Sequence, residues 1–525
     1  MRTPQMYSLL VAALMAGPGA AYAQSDPESL KRQIDQLQRQ IDELRATMEK
    51  MQAAKPAPGA PPAYAPAPPP APASEPLVRL KPNAGATFLV PGGGEVQLYG
   101  NLDVSVDTTT KGLKSDYGDN GGQPVGKTGW QPAISTNLSY AGIRGTHPLD
   151  RELAFIWQLE AGFDISATPG TKETTSNQSD TVNGALFSRN SFIGFANHKG
   201  WGAVMVGKSE TPYKTSTDRL NPFSGMLGDY RVIMGNTGGD NRVEFGLRAA
   251  HAIWYESPAW SGVQLKVMYS PGQNRDDTSS IVASGEPDCT GGNIPGSGAL
   301  PPTCNDGSFG DLSSISLSYL GGPLYLTTAY ELHKHVNRTS DLPVYDPNDI
   351  ADESAAKVGG QFTFPTQTTL SLLWERTKRN VPASLDYQNE RTRPHATWVA
   401  LTQVLTPADS LSLGWAHAGA TPGDPGQHNT PGGANPDNEA NMYTIAWRHA
   451  LDKQLTFYID YAMTNNHPDA HYDLGAGGHG VTTDCHDSTP MAAFDPTTGG
   501  VSNAGPHCFA GGKLQGVSIG VAYKF

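Results

Sequence analysis

Along most of the chain, apolar residues return at every second position. Val96, Leu98, Leu102, Val104 and Val106 alternate with Gln97, Asn101, Asp103, Ser105 and Asp107. Leu153, Phe155, Trp157, Leu159, Phe163 and Ile165 alternate with Glu152, Gln158, Glu160 and Asp164. The stripe recurs at 263–269, at 315–319 between serines, and at 455–463. Side chains on a strand point to its two faces in turn, so each stripe predicts a strand with one apolar and one polar face. In the last ten residues, 516–525, every odd position is apolar and every even one is small or polar, except Lys524 at the water boundary. One face can meet lipid and the other a wet lumen, and each stripe is long enough for a ~25 Å apolar band.

The connections between stripes alternate in length. Tight ones fall at 148–151, 198–200, 258–261, 321–322, 365–366, 407–409 and 451–452. Long polar stretches lie at about 110–130, 167–184, 210–241, 271–311, 333–353, 379–391, 420–438 and 465–512. Seven turns and eight loops join sixteen strands, which predicts an all-β fold: a 16-stranded antiparallel transmembrane β-barrel over residues 94–525. A water-soluble sandwich or propeller has no reason to sort its connections by length in this way.

A different period precedes the barrel. Leu30, Ile34, Leu37, Ile41, Leu44 and Met48 are spaced alternately four and three apart, with polar residues between them. That is a coiled-coil seam, predicting a short periplasmic helix over 24–52; a lone amphipathic helix packed on the barrel is the other reading. Residues 53–93 are rich in Pro and Ala and predict an extended linker. Residues 1–23 read as a signal peptide, with Arg2, an apolar run at 7–15 and Ala21-Tyr22-Ala23 before the cut.

Composition changes this picture little. Only 38% of residues are hydrophobic, and no run of eighteen apolar residues follows the extreme N-terminus. A helical membrane protein is thereby excluded, whereas a barrel is not. The net charge of −13 argues against a nucleic-acid partner. The four cysteines fall two to a loop, Cys289 with Cys304 and Cys485 with Cys508. In an exported chain disulfides are the default, and pairing within each loop would staple two external segments. Cys485-His486 and His507-Cys508 have the content of a metal site, but the oxidising setting favours disulfides, so neither metal nor cofactor is expected. His251 and His417 lie in strand segments without a nucleophile motif, so no enzyme activity is expected.

Five motifs in order resemble the trimeric general porins of Gram-negative bacteria, especially their β-proteobacterial branch. They are Val96-Gln97-Leu98-Tyr99-Gly100-Asn101-Leu102-Asp103, residues 139–145 with 158–163, Arg189-Asn190-Ser191-Phe192-Ile193-Gly194, Val206-Gly207-Lys208, and Tyr255-Glu256-Ser257-Pro258. The resemblance implies an outer-membrane homotrimer for passive diffusion of small hydrophilic solutes and ions. Its partners would be outer-membrane lipid and, through Phe525, the barrel-assembly machinery. It also implies that the third long loop, 210–241, folds inward to narrow the pore. Arg144, Arg189 and Arg248 match the family's basic ladder, opposite Asp218 and Asp229, with Arg219, Arg231 and Arg242 beside the loop. The family's Pro-Glu-Phe-Gly signature is replaced by Asn221-Pro222-Phe223-Ser224. A channel selective for small carboxylates is the alternative that a basic constriction would favour.

Overall fold

The computed structural model describes residues 79–81, 85–110, 130–163, 165, 189–197, 200–235, 245–246, 248–271, 311–337, 350–380, 390–420, 437–468, 470, 472–475, 493–495, 500–502 and 512–525. The signal segment, the coiled-coil seam, the linker up to residue 78, the four cysteines and Arg242 lie outside the described residues. The chain divides into two units, Met1–Glu75 and Pro76–Phe525, and every described residue belongs to the second.

The wall consists of sixteen antiparallel strands. They are β1 (Gly94–Thr110), β2 (Gln131–Thr136 and Tyr140–Pro148, with a break between), β3 (Ala154–Gly162), β4 (Ser191–Asn197), β5 (Gly202–Glu210), β6 (Arg248–Glu256), β7 (Val263–Pro271) and β8 (Asp311–Gly321). There follow β9 (Leu324–Asn337), β10 (Ile350–Thr363), β11 (Thr368–Asn380), β12 (Glu390–Val404), β13 (Asp409–Ala418), β14 (Ala440–Ala450), β15 (Leu455–Asn466) and β16 (Gly512–Lys524). Each strand pairs with its neighbours in the chain, and β16 pairs with β1 in the register Ile519↔Val106 and Val521↔Val104. The sheet is therefore a closed barrel, which leaves no unpaired backbone edge to face lipid. At the seam Gly100 N–H donates to the Phe525 carbonyl (3.1 Å), and Phe525 N–H donates to the Gly100 carbonyl (3.2 Å).

The period-two stripes lie where the sequence places them. Val106, Ile193, Phe195, Val206, Leu317, Leu372, Leu413, Ile445, Ile519 and Val521 are exposed on the outer face. The alternate positions Asp103, Ser105, Asp107, Ser314, Ser412, Asp460 and Ser518 are buried on the inner face. Strands β2–β3, β4–β5, β6–β7, β8–β9, β10–β11, β12–β13 and β14–β15 are joined by short turns, and the other eight connections are long. Two turns repeat one device. Asp150 Oδ1 accepts from the amides of Glu152 and Leu153, and Asp452 Oδ1 from those of Gln454 and Leu455, all at 2.7 Å. These bonds hold both carboxyls below the usual aspartate range.

The stretch expected as linker ends earlier than residue 93. Arg79–Leu80 pairs with Leu89 and Phe88, and Thr87–Val90 pairs with the start of β1. Lys81 Nζ meets Glu95 Oε1 at 2.7 Å across this small addition to the sheet. Phe88, Leu89 and Val90 carry the strand-forming residues, but their run is too short to stand out beside a Pro-rich stretch.

Candidate functional site: a loop laid along the inner wall

The connection between β5 and β6 turns inward instead of outward. It opens with α1 (Pro212–Thr215), whose start is capped by Thr211, the Oγ1 of which accepts from Lys214 N–H; proline at the first helical position suits a start that needs no donor. Single 3₁₀ turns follow at Asp218–Leu220 and Tyr230–Val232. Between them Asp229 acts as a brace: it is fully buried, accepting from Asn221 Nδ2 (2.8 Å), Gly225 N–H (3.2 Å) and Arg231 N–H (3.0 Å).

Apolar residues of the loop, Leu220, Phe223, Met226, Tyr230, Ile233 and Met234, bury against Leu373, Trp398, Ala400, Ala416, Met442 and Ala446 of the wall. The inner wall there is built from small residues, which gives the loop room. A Cβ on Gly414 would come within 2.4 Å of the Trp398 ring and 2.6 Å of the Phe223 ring. On Gly516 it would lie 2.7–2.8 Å from Leu474 and Leu227. Polar bonds fix the loop's described residues to the wall. Tyr213 N–H donates to Ser314 Oγ (2.9 Å), Tyr325 OH to the Ser216 carbonyl (2.7 Å), Lys357 Nζ to Thr217 Oγ1 (2.8 Å) and Trp398 Nε1–H to the Leu220 carbonyl (3.0 Å). Arg448 donates to the Pro222 carbonyl. Glu375 holds both ends, accepting from Tyr213 OH (2.6 Å) and Gly235 N–H (2.5 Å).

The predicted site residues fall into distinct roles. Arg189 pairs with Glu160 at 2.6 Å and lies over the Tyr140 ring. Arg248 pairs with Glu210 at 3.0 Å and donates to Asn190 Oδ1 at 2.7 Å. Arg231 pairs with Asp218 at 2.5 Å. Asp229, expected at the constriction, lies beneath the loop because it completes the loop's own backbone bonds. Arg144 and Arg219 are exposed and held by neutral groups. Arg144 Nε–H donates to Gln97 Oε1 (2.8 Å) with Tyr99 beneath it at 4.9 Å. Arg219 Nε–H donates to Gln361 Oε1 (3.0 Å), with Tyr325 beneath it at 5.5 Å.

Sequence reasoning passed over Glu160, Glu210, Lys214 and the paired tyrosines. Tyr99 OH donates to Glu160 Oε2 (2.9 Å), and Lys214 meets Glu210 at 3.0 Å. Burial pushes the Lys214 ammonium below the ordinary lysine value, with Glu210 drawing it part of the way back. The available signal was parity: Tyr99 and Glu160 stand at inward-facing positions of the period-two pattern. What the geometry offers is a passage narrowed by the loop and lined with charged side chains.

Comparison with known proteins bears on this arrangement. A family model described as Gram-negative porin matches residues 10–469. An outer membrane porin protein of Bordetella pertussis is 23% identical over 384 residues, covering 71% of this chain and 89% of that protein. Among solved structures, an anion-selective porin from Comamonas acidovorans superposes with a TM-score of 0.53 at 17% identity, over 82% of this chain and all of that one. The outer membrane channel DcaP of Acinetobacter baumannii gives a TM-score of 0.47 at 12% identity, over 84% of this chain.

Proposed function

This chain belongs to the Gram-negative porin family and is an outer-membrane channel for passive diffusion; on that premise we propose that its constriction favours small anions and that it works as a homotrimer. The observation that carries the charge preference is the pair of exposed guanidiniums with neutral partners, Arg144 on Gln97 and Tyr99, and Arg219 on Gln361 and Tyr325. The neighbouring carboxylates Glu160, Glu210 and Asp218 each carry an ion pair, and Asp229 is buried. Among the described residues, a passing solute thus meets positive charge that no adjacent carboxylate cancels. The resemblance to an anion-selective porin agrees with this reading. Reversal potential across a bilayer with a KCl gradient tests it. Anion preference is expected, moving toward zero in Arg144→Gln, Arg219→Gln; a cation-preferring wild type would overturn it.

Wall height supports the trimer. Strand β4 has seven residues and β5 nine, against fourteen in β10 and fifteen in β12. At about 3.3 Å per residue β4 is ~23 Å long, and tilting by ~35–45° leaves it shorter than the ~25 Å apolar band. Its outward Ile193 and Phe195, exposed by 56% and 49%, lie on this short stretch of wall, where a neighbouring copy would cover them. The N-terminal seam from Leu30 to Met48 would then join the same copies in the periplasm, with three strands imposed by the barrels. Mass measurement in mild detergent should give a trimer; a dimer or monomer overturns this part.

A further inference from the structure

Two histidines on the outer face stand closer than their separation along the chain suggests. His395 on β12 and His417 on β13 lie on the outward parity of their strands, toward the ends that lead to long connections, the external side of the membrane. His417 opposes Thr397 in the register, and just beyond β13 the Gly419 N–H donates to the His395 carbonyl at 3.0 Å. The two histidines are therefore diagonal neighbours, with ring centroids 5.5 Å apart and planes inclined by 34°. Gly419 brings no side chain between them: a Cβ there would sit 3.6 Å from His395 Cε1 and 3.7 Å from its Nε2. The Nε2 end of His395 thus leans across β13. Nothing in the spacing of these residues along the chain signals a pair; the register makes it.

His417 is held in one orientation. Trp415 Nε1–H, which can only donate, bonds Asn441 Oδ1 at 3.1 Å and so marks that atom as the acceptor. His417 Nδ1, 3.2 Å from the same oxygen, must then carry its proton toward β14. The Trp415 ring stacks on His417 at 6.0 Å and 22°, which restricts its rotation. Nδ1 and Nε2 lie on opposite sides of an imidazole, so the bare Nε2 faces β12, where His395 stands. Among the described residues no hydrogen bond claims the His395 ring. One imidazole oriented through its second nitrogen by an amide oxygen, beside another left open, is the arrangement of a metal-ligand pair. At a metal–nitrogen distance of ~2.0–2.1 Å each ring centroid would lie ~3.2 Å from the ion. The 5.5 Å between centroids then corresponds to an angle of roughly 120° at the metal, close to tetrahedral. Imidazole nitrogen suits copper, nickel and zinc, and water would complete the shell at this exposed border. Arg376, exposed on β11 at the register shift opposite His395, is the like charge on one flank.

We propose that His395 and His417 form an external binding site for one divalent transition-metal ion, with Asn441 and Trp415 as positioning residues. The site lies on the outer wall, away from the passage, so it does not depend on the charge preference proposed above. The test uses full-length, tag-free protein in chelator-free detergent, titrated with cupric chloride by calorimetry, with electron paramagnetic resonance on the same samples. Because the chain has 14 histidines, the readout is the difference between the wild type and His395→Ala, His417→Ala. That double variant should bind one copper fewer per chain, and the difference spectrum should show coupling to two nitrogens. Asn441→Leu should weaken the site about tenfold or more. Asn441→Asp, a stronger acceptor, should restore or tighten it, a reversal that a merely structural role would not give. Arg376→Gln should also tighten it by removing the like charge. Single-channel conductance and sheet content by circular dichroism should match the wild type in all four, which separates a lost site from a lost fold and leaves the diffusion reading standing. An unchanged copper count in the double variant, a difference spectrum with one nitrogen or none, or equal weakening by Asn441→Leu and Asn441→Asp would each overturn the assignment.

Discussion

Single positions decide whether the pore is narrow. Gly414 is a vacancy that Trp398 and Phe223 fill, so any larger side chain there must displace one of them. Gly414→Val is expected to cost about 1–3 kcal/mol by overpacking and to lift the loop at its midpoint. Single-channel recording should then show a larger conductance in an otherwise folded barrel; an unchanged conductance would mean that the wall, not the loop, sets the bore. At Asp150 and Asp452 the issue is protonation. Their folded pKa values lie below the unfolded ones, so their contribution is present above the usual aspartate range and lost as pH falls through the lowered values. Carbon-detected titration of labelled protein should find both below ordinary aspartates, and Asp150→Ala, Asp452→Ala should unfold with a weaker dependence on acid.

Among the elements, the inward loop depends most on one buried carboxylate. Glu375 is 2% exposed and accepts from both Tyr213 and Gly235, so it ties the outgoing and returning arms together. Glu375→Gln keeps the shape but replaces one acceptor with a donor. One of the two partners then goes unsatisfied, at about 1–3 kcal/mol. Limited proteolysis at the loop and current noise should both increase; if neither does, the tie is not what holds the loop. The strands themselves were legible in the sequence because an outward face must be apolar over its whole height, and a period of two cannot hide that in residues such as Val517, Ile519 and Val521. The loop's internal roles were not. Asp218 and Asp229 look alike in sequence, yet one is exposed and paired with Arg231 while the other is buried under backbone donors. Likewise Glu160 finds Arg189 only through a register between strands that a long loop separates.

For the whole molecule, closure and narrowing are separable. The wall closes through backbone pairing of β16 on β1, whereas the loop, which among the described residues touches β16 only through Leu227, needs the small-residue bed of β12–β14. Removing residues 217–233 should therefore leave a heat-resistant barrel of native sheet content with a wider, less selective channel. Circular dichroism with conductance on the same sample checks both halves, and loss of the barrel would show that the loop is part of the folding core.

The two guanidiniums resting on tyrosines, Arg144 and Arg219, have a consequence in the language of ionic strength. In dilute salt the screening length, ~30 Å at 0.01 M, exceeds the reach of any side chain, and the fixed charge enriches its counter-ions in the passage. At 1 M it shrinks to ~3 Å and each charge is felt only by what touches it. Conductance should thus fall less than proportionally as the bath is diluted, so the pore conducts relatively best in dilute water.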